Sequence, residues 1–145
     1  KPLMRGGIHH VDLTVKDATA SRAFYESVLG FMGYRLSSPI KDFGDTDPNG
    51  YDFDLTTADG FCSIGILNAR GEHADRTHDR YSPGLHHIAW NAASREDVDA
   101  MHEHLLSIGA TILDAPAAYP QYGPTYYAVF FADPDGLKLE YVHKP

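Results

Sequence analysis

Gly7-Ile8-His9-His10-Val11-Asp12-Leu13 returns 77 residues later as Gly84-Leu85-His86-His87-Ile88-Ala89-Trp90. Paired histidines inside matching apolar frames mark an internal repeat. The same offset carries Phe24 onto Met101, Val28 onto Leu105, Leu29 onto Leu106 and Leu36 onto Leu113. The register thus holds through a strand, a helix and the start of a second strand, and the rest of the chain reads as two copies of one unit.

Each copy opens with a short, partly alternating apolar segment, residues 8–15 and 85–92, which predicts a strand. Helical spacing follows. Asp17 is the expected N-cap before Ala18, Ala20, Ala23, Phe24, Val28 and Leu29, with Gly30 ending the run. In the second copy Ser94 caps, Asp97 stands three residues on in a capping-box place, and Val98, Met101, Leu105 and Leu106 form the apolar stripe up to Gly109. Three strand-like runs come next in each copy: 33–37, 51–57 and 61–67, then 111–114, 126–132 and 137–143. Asp59-Gly60 and Asp133-Pro134-Asp135-Gly136 supply the turns between the last two. The expected fold is α+β, two βαβββ modules in tandem at about 7–68 and 84–145, within one domain spanning 1–145. Loops are expected at 38–50 and at 69–83, the latter charged, exposed and mobile; a Pro- and Tyr-rich segment, 115–125, is a candidate lid.

Composition narrows the function. Twelve Lys and Arg against 20 Asp and Glu give a formal charge of −8, which argues against a nucleic-acid or anionic-membrane partner. A single cysteine, Cys62, rules out an intrachain disulfide and a cysteine zinc cluster, and with no long apolar run it predicts a soluble, cytoplasmic protein. Nine histidines among 145 residues are the unusual feature.

Strand parity separates these histidines. Val11, Leu13 and Val15 share one face with His9, leaving His10 with Asp12 and Thr14; Ile88 and Trp90 carry His86, leaving His87 with Ala89 and Asn91; Leu137, Leu139 and Tyr141 leave Glu140 opposite. His10, His87 and Glu140 are therefore assigned to the face away from the helices. Two imidazoles and one carboxylate suit a divalent metal with open positions for a chelating ligand: Fe(II), Mn, Ni, Co or Zn. His9 and His86 are expected to pack between sheet and helix. His73 and His78 belong to a loop, and His102 and His104 to a helix surface. Asp52 and Asp54, on the polar face of their strand, are candidates for a base.

The βαβββ repeat, the two HH-bearing strands and the ending Asp133-Pro134-Asp135-Gly136-Leu137-Lys138-Leu139-Glu140 resemble the vicinal oxygen chelate superfamily of glyoxalases, bleomycin resistance proteins and extradiol dioxygenases. The resemblance implies a curved mixed sheet with helices outside, a concave cavity holding one divalent metal per chain on His10, His87 and Glu140, and a homodimer. It implies a small-molecule substrate that chelates the metal through adjacent oxygens, in an isomerase, lyase or ring-cleaving dioxygenase reaction. A fourth ligand, where members have one, is a Glu on the last strand of the first module, where Gly65 stands here. The acid–base Tyr of the dioxygenase branch is replaced by Phe130, so Tyr126 and Tyr127 become the catalytic candidates, and Tyr119, Tyr122 and Phe130 the substrate-contacting ones. The alternative is a metal-free small-molecule or drug-binding protein, to which 12% aromatic residues and the acidic charge are suited.

Overall fold

The computed structural model describes residues 5–40 and 49–145; most of the loop expected at 38–50 lies outside them. The chain divides into two compact units, residues 1–76 and 77–145.

In the first unit, β1 (His10–Val15) is followed by α1 (Ala18–Phe31), β2 (Arg35–Ile40), β3 (Gly50–Thr57) and β4 (Gly60–Asn68). The sheet order is β1-β4-β3-β2, with β1 parallel to β4 and the other pairs antiparallel. The second unit repeats this plan: β5 (Ile88–Asn91), α2 (Arg95–Ser107), β6 (Thr111–Ala118), β7 (Tyr127–Ala132) and β8 (Lys138–His143), in the order β5-β8-β7-β6. The two matching mixed sheets are the expected α+β βαβββ pattern.

Each helix begins where its cap stands. The Asp17 carboxylate accepts from the Ala20 amide at 3.1 Å, and Ser94 Oγ accepts from the Asp97 amide at 3.0 Å, each satisfying an amide that the first helical turn leaves without a partner. The buried stripe of α1 is Ala18, Ser21, Tyr25, Val28 and Leu29, and that of α2 is Val98, Met101 and Leu105. Ala20 and Ala23, expected inside, are exposed, because the stripe of α1 steps through Ser21 and Tyr25; Leu106, also expected inside, is exposed because the stripe of α2 is Val98, Met101 and Leu105. The helices end at Gly33, φ +102°, and Gly109, φ +70°, where a side chain would be strained.

The helices lie against one face of their own sheets: α1 on β2, β3 and β4, α2 on β6, β7 and β8. That face carries Leu13, Val15, Phe53, Ile64 and Ile66 in the first unit and Trp90, Phe131, Leu139 and Tyr141 in the second, all buried. A fully buried Phe131 or Leu139 contributes about 1.5–3 kcal/mol from the transfer of apolar surface out of water. With one face of each sheet committed to a helix, the residues of opposite parity are left for other work. No helix among the described residues is long and apolar enough to cross a membrane.

Segment 69–83 contains a single 3-10 turn, Gly71–Asp75, and is largely exposed. The candidate lid is tied into the sheet. β6 runs on to Ala118, Pro120–Tyr122 forms a 3-10 turn, and the Tyr119 amide donates to the Tyr126 carbonyl at 3.0 Å.

Candidate metal centre

Glu140 sits in the middle of β8 and is 2% exposed, the most enclosed carboxylate among the described residues. Its neighbours Leu139 and Tyr141 turn toward α2, so Glu140 shares the other face with Lys138 and Val142. Across the ladder it is paired with Phe130 on β7 and Ala89 on β5. Ala128, Phe130 and Val142 form an apolar cluster there, against which Tyr119 and Tyr126 pack.

A buried carboxylate is costly unless its oxygens are satisfied, and here both are. Oε1 lies 3.1 Å from His87 Nε2, and Oε2 accepts a hydrogen bond from the Tyr126 hydroxyl. Tyr126 stands just before β7, on the same side as Ala128 and Phe130, which is why its phenol reaches Glu140. Burial, and then the hydrogen bond to Glu140, push the Tyr126 phenol well above its usual pKa, so it keeps its proton.

His87 is held from behind. His86 Nδ1 lies 2.7 Å from His87 Nδ1, and the first unit repeats the contact, His9 Nδ1 lying 3.0 Å from His10 Nδ1. His9 and His86 are thus exposed partners of His10 and His87 and do not pack between sheet and helix as expected. The reason is local: β1 begins at His10 and β5 at Ile88, so His9, His86 and His87 precede the strands and escape their alternation.

An aromatic wall adjoins Glu140. Tyr119 stacks on Tyr122 with ring centroids 5.9 Å apart and meets Phe130 edge-on at 5.4 Å, while Tyr122 meets Tyr126 at 5.3 Å. Lys138 Nζ stands 4.6 Å over the Phe130 ring, and Tyr122 is 56% exposed. Tyr127 belongs to the opposite face. Its hydroxyl donates to Asp99 Oδ1 on α2 at 2.6 Å, and the Arg95 guanidinium covers its ring at 4.8 Å.

The first unit offers a different surface. Asp12, Gly65 and Asp52 stand in one row across β1, β4 and β3, where the second unit has Ala89, Glu140 and Phe130. Gly65 therefore occupies the place of Glu140, as the sequence alignment expected. A Cβ on Gly65 would fall 2.3 Å from Asp12 Oδ1 and 2.9 Å from Asp52 Oδ1, so glycine is what lets these carboxylates lie over β4. Burial, followed by the Asp12 and Asp54 charges, raises the Asp52 pKa above the usual carboxylate range, against a smaller lowering by His10. His10 is exposed at the start of β1, with Ser63 as its neighbour on β4.

His87 Nε2 and Glu140 Oε1 have the spacing a metal demands. Two donors about 2.1 Å from one ion, at a right angle, lie about 3 Å apart. A neutral imidazole nitrogen and a carboxylate oxygen are suitable donors for a divalent first-row ion. Among the described residues no group of three His, Cys, Asp or Glu side chains comes together as a metal cluster, so the second unit presents two donors by itself.

The doubled βαβββ plan has counterparts among known proteins. Residues 7–141 match the model of the Glyoxalase/Bleomycin resistance protein/Dioxygenase superfamily, and the chain belongs to that superfamily. It is 32% identical over 139 residues to the uncharacterized protein YqjT of Bacillus subtilis (strain 168), covering 93% of this chain and 97% of the relative. A crystal structure of a provisionally described glyoxalase from Bacillus halodurans superposes with a TM-score of 0.75 at 29% identity, covering 97% of each chain. The fold is also shared with the fosfomycin resistance protein FosX of Listeria monocytogenes, solved with Mn(II) and a dihydroxypropylphosphonic acid (TM-score 0.66, 20% identity, 98% of this chain and 95% of that one).

Proposed function

We propose that this chain is a metal-dependent enzyme acting on a small substrate that offers two adjacent oxygens, in an isomerase, lyase or ring-cleaving reaction. The observation that carries the reading is Glu140: a carboxylate sunk in an apolar face, with His87 Nε2 on one oxygen and the Tyr126 hydroxyl on the other. A group so costly to bury has a stability penalty that a purely structural residue at this position would avoid.

In this reading His87 and Glu140 hold the ion, and the family resemblance adds His10 as the third ligand. When bound, a divalent ion there supplies Lewis-acid stabilisation of negative charge developing on the substrate's oxygens. The chain's own residues do the rest. Tyr126, whose pKa is raised, keeps a proton at its hydroxyl and can hold or pass it at Glu140 Oε2. Tyr119, Tyr122 and Phe130 offer ring faces and edges to the substrate's body and exclude water from Glu140.

The test is a panel of catechols, α-hydroxythioesters and hemithioacetals offered to the iron-, manganese-, nickel- and zinc-loaded protein. Turnover of at least one class by one loaded form, reduced about 100-fold in Tyr126→Phe with metal content unchanged, is the expected result for a positioned proton donor. Tight binding of flat ligands by metal-stripped protein, with no turnover in any loaded form, would favour the binding-protein alternative.

A further inference from the structure

We propose that His86 positions His87 for metal binding. The inference rests on the metal reading above. Imidazole has two nitrogens, and only the one without a proton can bind a metal; which one that is depends on what the other meets. His87 Nδ1 meets His86 Nδ1 at 2.7 Å, and the ring turns its Nε2 to within 3.1 Å of Glu140 Oε1. In the metal-free chain Nε2 carries the proton that satisfies Glu140 Oε1; when an ion takes that proton's place, Nδ1–H of His87 donates to His86 Nδ1 and the Nε2 lone pair, already aimed at the carboxylate, is left for the metal. His86 then carries its own proton on Nε2.

Two features argue that this contact has a use. It occurs in both copies of the repeat, at 2.7 Å in one and 3.0 Å in the other, although the rings are set differently: 70° between planes in the second copy and 86° in the first. In addition, the neighbouring rings contribute little to either core. His9 and His86 are exposed, and their other ring contacts are to Phe61 and Tyr81, both exposed as well. The packing of the fold does not call for a histidine at 9 or 86. A partner for the ligand ring does.

The experiment is calorimetric titration of Mn(II) and Zn(II) into the metal-stripped full chain, for wild type, His86→Ala, His86→Asn and His87→Ala. An Asn amide oxygen sits where imidazole Nδ1 sits and can accept the same hydrogen bond. The expected result is a Kd about 10- to 100-fold weaker in His86→Ala, recovery of most of that loss in His86→Asn, and thermal unfolding of these two metal-free variants unchanged from wild type. Nitrogen-15 spectra of the zinc-loaded wild type should show His87 protonated at Nδ1, and this should be lost or mixed in His86→Ala. Wild-type affinity and an unchanged His87 signal in His86→Ala would overturn the positioning role while leaving the metal reading intact. Metal binding that survives His87→Ala would overturn that reading and this inference with it.

Discussion

Replacing Glu140 should separate stability from function in opposite directions. In Glu140→Gln the side chain keeps its length, the amide oxygen still accepts from the Tyr126 hydroxyl, and the amide nitrogen can donate to His87 Nε2 once that ring carries its proton on Nδ1, facing His86. What disappears is a negative charge that is 2% exposed among Ala128, Phe130 and Val142. Exchanging buried charge for a neutral group with its hydrogen bonds kept is commonly neutral or stabilising, so the metal-free variant should lie between about 0 and 2 kcal/mol more stable than wild type. Glu140→Ala leaves the enclosed Tyr126 hydroxyl without its partner and opens a void. It should be about 1–3 kcal/mol less stable. Urea unfolding followed through Trp90, the single tryptophan, which is buried on the helix face of the same unit, measures both. Both variants should lose metal affinity. If Glu140→Gln were destabilised as much as Glu140→Ala, the carboxylate would be a structural element of the fold, and the argument from its cost would fail.

Other consequences are equally direct. Asp97 accepts from the Ala93 amide at 2.8 Å and from the Tyr141 hydroxyl at 2.6 Å, tying the start of α2 to β8. Asp97→Ala should cost about 2–3 kcal/mol, and Ser94→Ala, which removes only the cap, about 1 kcal/mol, both read from denaturant midpoints. Asp52 has a folded-state pKa above its unfolded value, so the native state binds more protons through that window and stability falls as pH rises through it. Asp52→Asn should remove this slope and be the more stable protein at pH 7, while matching wild type below the window; identical pH profiles would count against the crowding of Asp52 by Asp12 and Asp54.

Much of this was legible in the sequence because both signals it uses are periodic. The 77-residue repeat delivered two copies of the same strand order, and apolar alternation placed Leu13, Val15, Leu139 and Tyr141 on the helix face and Glu140 opposite. Caps at Asp17 and Ser94 were readable because a side chain serves an amide three residues away. The losses came where periodicity stops. Parity was carried back to His86 and His87, which precede β5, so the pairing of their rings was invisible to it. Tyr126 and Tyr127 were equivalent as residue types; only the start of β7 decides that one phenol reaches Glu140 and the next reaches Asp99. The strand expected at 111–114 continues to Ala118, because irregular pairing with β7 between Asp114 and Ala117 accommodates Pro116.

The most direct test of the central claim is the metal content and affinity of the full chain purified without chelators. About one divalent ion per chain, lost in His10→Ala, His87→Ala and Glu140→Gln alike, is the predicted result. Protein that carries no ion, and gains none when titrated with iron, manganese, nickel, cobalt or zinc, would contradict it.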